Sequence, residues 1–290
     1  MTSTDRILSI TKLAVIESLR KCDGNTGEQL ALDIAAGLAA KGVTLVIQVL
    51  RCSGADGFRQ IMARLAEEAA GKEHHPMVHI ECHGDDVAGL EFGDGSMLSW
   101  LELADLLRPI NEATELGLIV SVATCFGIGA VSGVCVTKPA PCFALIGPSE
   151  GIWSNELYQA LKSFYLDMMA QTSTSEAVRR LTDTRLESGG FVVLTVRQWF
   201  REVIMCYLQE MTSVKERKAQ ALRQHQKARA EGRNLGLTYW KQHYLRTMPA
   251  LLRDYHRKFF MTDRFPQHAA HFGASLGDID TELRARGLED

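Results

Sequence analysis

Two short apolar runs in this sequence each end on a reactive side chain with a glycine close behind it. Met77-Val78-His79-Ile80-Glu81-Cys82 stops at His83-Gly84, and Leu118-Ile119-Val120-Ser121-Val122-Ala123-Thr124 stops at Cys125-Phe126-Gly127. A thiol attacks a carbonyl as thiolate and needs a proton acceptor beside it. Imidazole titrates near neutrality, so it can take that proton and later deliver it to a leaving amine. The tetrahedral intermediate then needs hydrogen-bond donors aimed at its oxygen. The backbone N–H of Gly84, with no side chain in the way, and that of Cys125 itself are the natural pair. Gly127 allows a sharp turn past the nucleophile. Cys125 and His83 are thus the candidate catalytic residues, and Gly84 and Cys125 the candidate oxyanion hole.

For this chemistry to occur the two runs must end side by side. Between them lie a Gly/Asp-rich segment and residues 98–110, whose apolar positions recur at helical spacing. Strand, helix, strand makes two neighbouring parallel strands, and open parallel sheets gather their chemistry at the strands' carboxyl ends. Elsewhere residues 12–19, 43–50 and 141–147 read as strands, and 28–41, 58–70, 155–171 and 174–186 as helices. The alternation predicts an α/β fold, a mostly parallel central sheet with helices on both faces. Beyond Gly189-Gly190 the pattern turns helical and charged. Residues 196–207, 210–231 and 237–260 read as helices, Pro266 and Gly273 punctuate a short tail, and the apolar density reads as low for a separate domain. The expected organisation is one domain over residues 1–190 and a basic helical extension over 191–290.

Composition fits a globular protein. Of 290 residues, 46% are hydrophobic and 23% charged, and no apolar run approaches the ~18 residues of a membrane helix. Residues 1–9 lack the basic start and apolar middle of a signal peptide, so a cytoplasmic location is expected. Seven cysteines without a CxxC pair suggest neither a disulfide framework nor a zinc site. Cys52, Cys82 and Cys206 sit in apolar runs and read as buried small side chains. Charge is uneven: residues 1–196 hold 15 Lys/Arg against 24 Asp/Glu, whereas residues 197–258 hold 14 against 5.

The quoted motifs resemble those of caspase-like cysteine peptidases (clan CD), closest to the bacterial CHAT-type branch. In that branch a strand ends in His-Gly, an Asp-Gly hairpin follows, and a helix leads to a strand ending in a small residue and the nucleophilic cysteine. Here the counterparts are His83-Gly84, then Gly89-Leu90-Glu91-Phe92-Gly93-Asp94-Gly95, Leu98-Ser99 opening the helix, and Ala123-Thr124-Cys125-Phe126-Gly127. The Phe164-Tyr165 helix and Thr174-Ser175-Glu176-Ala177-Val178-Arg179 extend the likeness, which covers residues 10–187. The chain departs from it in having Thr124 where CHAT proteins usually have Ala and caspases have Gln-Ala-Cys-Arg-Gly. The histidine and cysteine lie 42 positions apart, near the ~50 of caspases. The resemblance implies a three-layer caspase-like fold and a Cys-His dyad without metal or organic cofactor. It also implies endopeptidase action on a dedicated protein substrate, in bacterial regulation or anti-phage defence. It maps the pocket for the residue before the cut to residues 17–23 and 147–155. There Glu150 or Asp23 would select Arg or Lys, Arg20 would select Asp or Glu, and Trp153 would wall an apolar pocket. The sign of the preference stays open.

Other signals are weaker. His79 and Glu81 alternate with His83 and should share its side of the strand, where Glu81 would orient a histidine. Asp85-Asp86 reads as a solvated turn or a contact to substrate, and His74-His75 as a solvated loop pair. Lys215, Arg217, Lys218, Arg223, Lys227, Arg229 and Arg233 form a basic helical run. Residues 197–258 would dock a regulatory protein or the acidic front half, or bind nucleic acid through phosphates; no membrane partner is expected. A caspase-fold interaction module without turnover, working through these helices, is the competing reading.

Overall fold

The computed structural model describes residues 10–20, 22–133, 135–170, 174–184 and 186–286, with the backbone alone at residues 174, 210–212, 214, 216, 217, 220, 241, 244 and 245. The chain runs β1 (Lys12–Glu17), α1 (Thr26–Ala40), β2 (Val46–Arg51), α2 (Ala55–Ala70), β3 (Pro76–Glu81), β4 (His83–Asp85), β5 (Gly89–Glu91), β6 (Met97–Leu98) and α3 (Trp100–Ala113). It continues as β7 (Ile119–Ala123), a 3-10 helix (Gly127–Gly133), β8 (Ala144–Pro148), α4 (Ser154–Met169), α5 (Thr174–Asp183), β9 (Phe191–Thr195), α6 (Val196–Thr212), α7 (Val214–Ala230), α8 (Leu237–Phe259) and α9 (Gln267–Ala285).

Six strands form one sheet in the order β2-β1-β3-β7-β8-β9, and only β9 runs antiparallel to its neighbour. The central strands read as unbroken apolar runs because both sheet faces are covered. Leu13, Val15, Met77, Ile119 and Ile146 pack with Leu30, Ile34 and Leu38 of α1 and Leu161, Phe164 and Tyr165 of α4. The alternating residues Ala14, Ile16, Val78, Ile80, Val120 and Val122 are equally buried on the other side. Helices α2 and α3 contact one another, and α2 buries Phe58, Met62, Leu65 and Ala69 at the 3–4 spacing of a one-sided helix. Ser99 starts α3 by accepting the Glu102 N–H at 3.2 Å, the hydroxyl half of a capping box.

The chain divides into two compact units, residues 10–133 with 140–196 and residues 135–139 with 197–286. The second has an aromatic centre: Phe200 lies 5.3 Å from Phe259 and 5.0 Å from Phe260, and Phe260 stacks on Phe272 at 4.5 Å. Among the described residues no helix is long and apolar enough to cross a membrane.

Three segments differ from expectation. Phe191–Thr195 is a strand, hidden in the sequence because it runs straight into α6. Residues 267–285 form a 19-residue helix rather than a short tail. Gly273 and Gly277 lower its helix propensity, but His268, Phe272, Ser275, Ile279 and Leu283 bury one face and outweigh that cost. After Cys125, where the sequence points only to a sharp turn, Gly127–Gly133 form a 3-10 helix.

Candidate active site

Register brings the two reactive residues to one edge. Glu81 of β3 pairs with Ala123 of β7, so His83 and Cys125 each lie two residues beyond the last paired position of neighbouring parallel strands. The chain leaves the main sheet at Cys82 and starts a second sheet of three strands, β4-β5-β6. Gly95, at φ 83°, turns between β5 and β6, with its N–H donating to Phe92 O at 2.8 Å. Asp94 Oδ1 accepts the Ser96 N–H at 2.8 Å. The Asp-Gly hairpin expected from the sequence is therefore in place.

Gly84 makes the closest approach. A Cβ there would stand 2.3 Å from Cys125 O and 2.5 Å from Thr124 Oγ1, so only glycine lets β4 lie on the Thr124–Cys125 peptide. The turn past Cys125 is built differently from expectation. Phe126, not Gly127, takes the left-handed conformation, at φ 58°. Its N–H donates to Glu150 O at 3.1 Å, and the Gly127 N–H donates to Thr124 O at 3.1 Å. Gly127 is needed because a Cβ would meet Val122 O at 2.1 Å. Holding a phenylalanine in this region stores strain of order 1–3 kcal/mol beside the cysteine. The Cys125 N–H makes no hydrogen bond among the described residues, which leaves it open as a donor.

His83 is partly open to solvent, its side chain 42% exposed, and its Nε2 lies 2.8 Å from Asp23 Oδ2. The same carboxylate oxygen accepts the Arg20 N–H at 2.9 Å. The hydrogen bond to His83, and after it that from Arg20, holds the Asp23 carboxyl below its usual value against the opposing effect of desolvation. A carboxylate on Nε2 fixes that nitrogen as the protonated one and leaves Nδ1 as the basic site. The sequence alone offers Asp23 only as a pocket residue. Its bond to the histidine crosses 60 residues of chain.

The other pocket candidates have separate fates. The Arg20 guanidinium pairs with the Glu91 carboxylate, and Glu91 stands opposite His83 across β4 and β5. Glu150 is exposed, and its carbonyl, bonded to Phe126 N–H, places it one residue past the cysteine. Trp153 is 59% exposed at the start of α4, its N–H donating to Ser188 Oγ at 2.9 Å. Asp85 behaves as a turn residue: its Oδ1 accepts the Val87 and Ala88 N–H groups at 2.9 and 2.7 Å, and these bonds lower its pKa.

Of the cysteines, Cys82 and Cys142 are buried and desolvation raises their thiol pKa values; it also raises that of Cys52. Cys206, expected inside, is exposed because its apolar neighbours Ile204 and Leu208 take the inner face of α6. Cys135 is partly exposed with Sγ 2.8 Å from Thr137 Oγ1, in the segment that clusters with the second unit. Cys125 is partly exposed at the strand end. Cys22 is exposed too, with Sγ 3.6 Å from Asp23 Oδ1, a neighbour of the site that its loop position in the sequence concealed.

The expectation that His79, Glu81 and His83 share one side of a strand fails because the strand breaks at Cys82. His79 and Glu81 point instead into a buried polar cluster. His79 Nδ1 is 2.9 Å from Tyr165 Oη, and its Nε2 is 3.5 Å from Glu81 Oε2. Glu81 accepts the Thr26 hydroxyl, and Glu17 Oε2 accepts the N–H groups of Gly27 and Glu28 at 2.9 and 3.1 Å. Two carboxylates thus face the positive end of α1, where the helix dipole favours them. The cluster underpins the strand ends; the histidine that Glu81 neighbours is His79.

No protein-family model matches the chain, and no curated protein matches it.

Proposed function

We propose that this chain is a cysteine endopeptidase of caspase-like type, with Cys125 as nucleophile and His83 as general base and then general acid. The observation that carries the reading is the seating of Gly84 on the Thr124–Cys125 peptide. It brings the residue after the histidine against the cysteine's own carbonyl while both side chains stay accessible.

In this mechanism His83 takes the Cys125 thiol proton, and the thiolate adds to the substrate carbonyl. The N–H groups of Gly84 and Cys125 hold the resulting oxyanion. Collapse expels the amine, which leaves with the proton from His83, and a thioester remains on Cys125. Water, deprotonated by His83, attacks the thioester, and the thiol departs with its proton restored. Asp23 keeps the imidazole in one orientation throughout and is a positioning residue. Arg20, already paired with Glu91, is less available to a substrate carboxylate than Glu150 is to a substrate cation. Residues 197–258 would then serve a partner rather than the bond cleavage.

The test is labelling of the folded protein with a panel of electrophilic peptide probes. The expected result is selective modification of Cys125, abolished in Cys125→Ala and lowered at least about 100-fold in His83→Ala. Uniform weak labelling of the accessible cysteines, unchanged by His83→Ala, would overturn the reading and favour the interaction module.

A further inference from the structure

Helix α7 carries cations that no described carboxylate neutralises. Lys215, Lys218, Lys227 and Arg229 are all exposed and none joins an ion pair among the described residues; Arg217, in the same run, lies outside the described side chains. The basic end of α8 differs. There Arg253 pairs with Asp280 at 3.1 Å, and Arg257 and Lys258 pair with Asp254 at 2.5 and 2.7 Å. Arg233, just past α7, pairs with Glu231. Arg197 and Arg201 of α6 and Arg246 of α8 are also exposed without an ion pair among the described residues, but α7 carries the largest such group of the three helices.

Geometry sets three of the α7 cations in a strip, with Lys227 about 120–180° around the helix from these. Ala221 and Ala228 are the buried side of α7. At 3.6 residues per turn, Lys215, Lys218 and Arg229 fall within about 60° of one another around the rest of its circumference, along about 21 Å of axis. Leu222, 47% exposed, is a single apolar residue in this strip, far short of the apolar face a membrane-surface helix needs.

A flat ring stands at the same end of the hairpin as Arg229. Helix α8 packs along α7, and the connection between them is folded back by a His225 Nδ1 bond to Leu235 O at 2.7 Å. In the first turn of α8, Tyr239 is 46% exposed. It is stacked on His243 at 5.4 Å with planes 13° apart, and meets Trp240 edge-on at 5.3 Å. One face of the tyrosine is thus held by its neighbours. An exposed ring beside a cationic strip is the combination that captures single strands, since phosphates meet the cations and any base can stack. An acidic peptide would use the cations and leave the ring idle.

We propose that the α7–α8 hairpin binds single-stranded nucleic acid without sequence preference. The α7 cations track the phosphates and Tyr239 stacks on a base. This does not depend on any activity at Cys125.

Fluorescence anisotropy on the full chain tests it, using a labelled mixed-sequence single strand of about 20 nucleotides, its duplex, and poly-glutamate as competitor. The expected result is saturable binding that weakens between about 50 and 200 mM salt, with a log–log slope near −2 to −3 for three or four phosphate contacts. Lys215→Gln/Lys218→Gln/Lys227→Gln/Arg229→Gln should lose about tenfold or more in affinity and flatten the slope. Tyr239→Ala should lose about fivefold or more with the slope unchanged, and both variants should keep the wild-type circular dichroism. Absence of binding at low salt would overturn the proposal. So would equal affinity for the duplex, equal affinity for poly-glutamate, or wild-type binding by the fourfold variant.

Discussion

Asp23 illustrates how a single side chain can change meaning once its neighbours are known. As a loop residue after β1 it is one more acidic candidate for contacting substrate. At 2.8 Å from His83 Nε2 it becomes the group that orients the imidazole. The sign of its titration follows from its cause. Its carboxyl pKa is held down in the folded chain, so the His83 bond is intact above the ordinary carboxylate value and is lost as pH falls through the lowered one. We expect Asp23→Ala to slow probe labelling of Cys125 about tenfold or more. It should also let the ring mix tautomers, read from the nitrogen shifts of His83. Asp23→Asn, which keeps an acceptor oxygen, should recover most of the rate. A wild-type rate in Asp23→Ala would remove the residue from the site. Gly84 and Phe126 carry the other residue-scale constraints, one a close approach that excludes any Cβ and the other a left-handed turn imposed on a bulky side chain.

At the scale of elements, the candidate site is positioned by five parallel strands that stop at a common edge, with α1 packed on one face of the sheet. Helix α1 is anchored at its start by Glu17 and along its length by Asp33. Asp33 Oδ2 accepts from Lys162 Nζ at 2.6 Å and from the Tyr158 hydroxyl at 2.5 Å, both on α4. The bond from Lys162, then that from Tyr158, brings the Asp33 pKa down to about 2. Desolvation, then the hydrogen bond to Asp33, pushes that of Tyr158 up to about 12. A depressed carboxylate stabilises the fold above its unfolded value near 3.8 and ceases to as pH falls toward the folded value. Asp33→Asn should therefore lower the urea midpoint at pH 7. The gap between wild type and variant should close at about pH 2. A gap of the same size at both pH values would refute the electrostatic tie between α1 and α4.

Across the whole molecule, chain order and compact unit do not coincide. The segment 135–139 lies between the 3-10 helix and β8, yet it clusters with residues 197–286. A fragment ending at residue 196 should keep its sheet but exchange amide hydrogens faster over 135–139 than the full chain does, as read by mass spectrometry. Equal protection in fragment and full chain would show that the segment needs nothing from the helices. The charge division follows the same partition. The first 196 residues hold the acidic excess and residues 197–258 the basic one; within the latter, α8's last turn is internally neutralised, whereas Lys215, Lys218, Lys227 and Arg229 of α7 join no ion pair among the described residues.

What the sequence determined by itself was local and periodic. Apolar runs bounded by glycine gave the strands of the parallel sheet, 3–4 spacing gave α2 and α3, and matched strand ends put His83 and Cys125 at one edge. It was blind where short-range pattern and environment disagree. Phe191–Thr195 merges into a helix, and Gly273 and Gly277 mask α9. An apolar setting for Cys206 turned outward, and the alternation from His79 to His83 was cut by a break at Cys82. Only the tertiary structure decided that Asp23 meets His83, that Arg20 is taken up by Glu91, and that Phe126 bears the turn. These are contacts between loops far apart in the chain, and loop conformation is set by what the loops pack against rather than by any period in their residues.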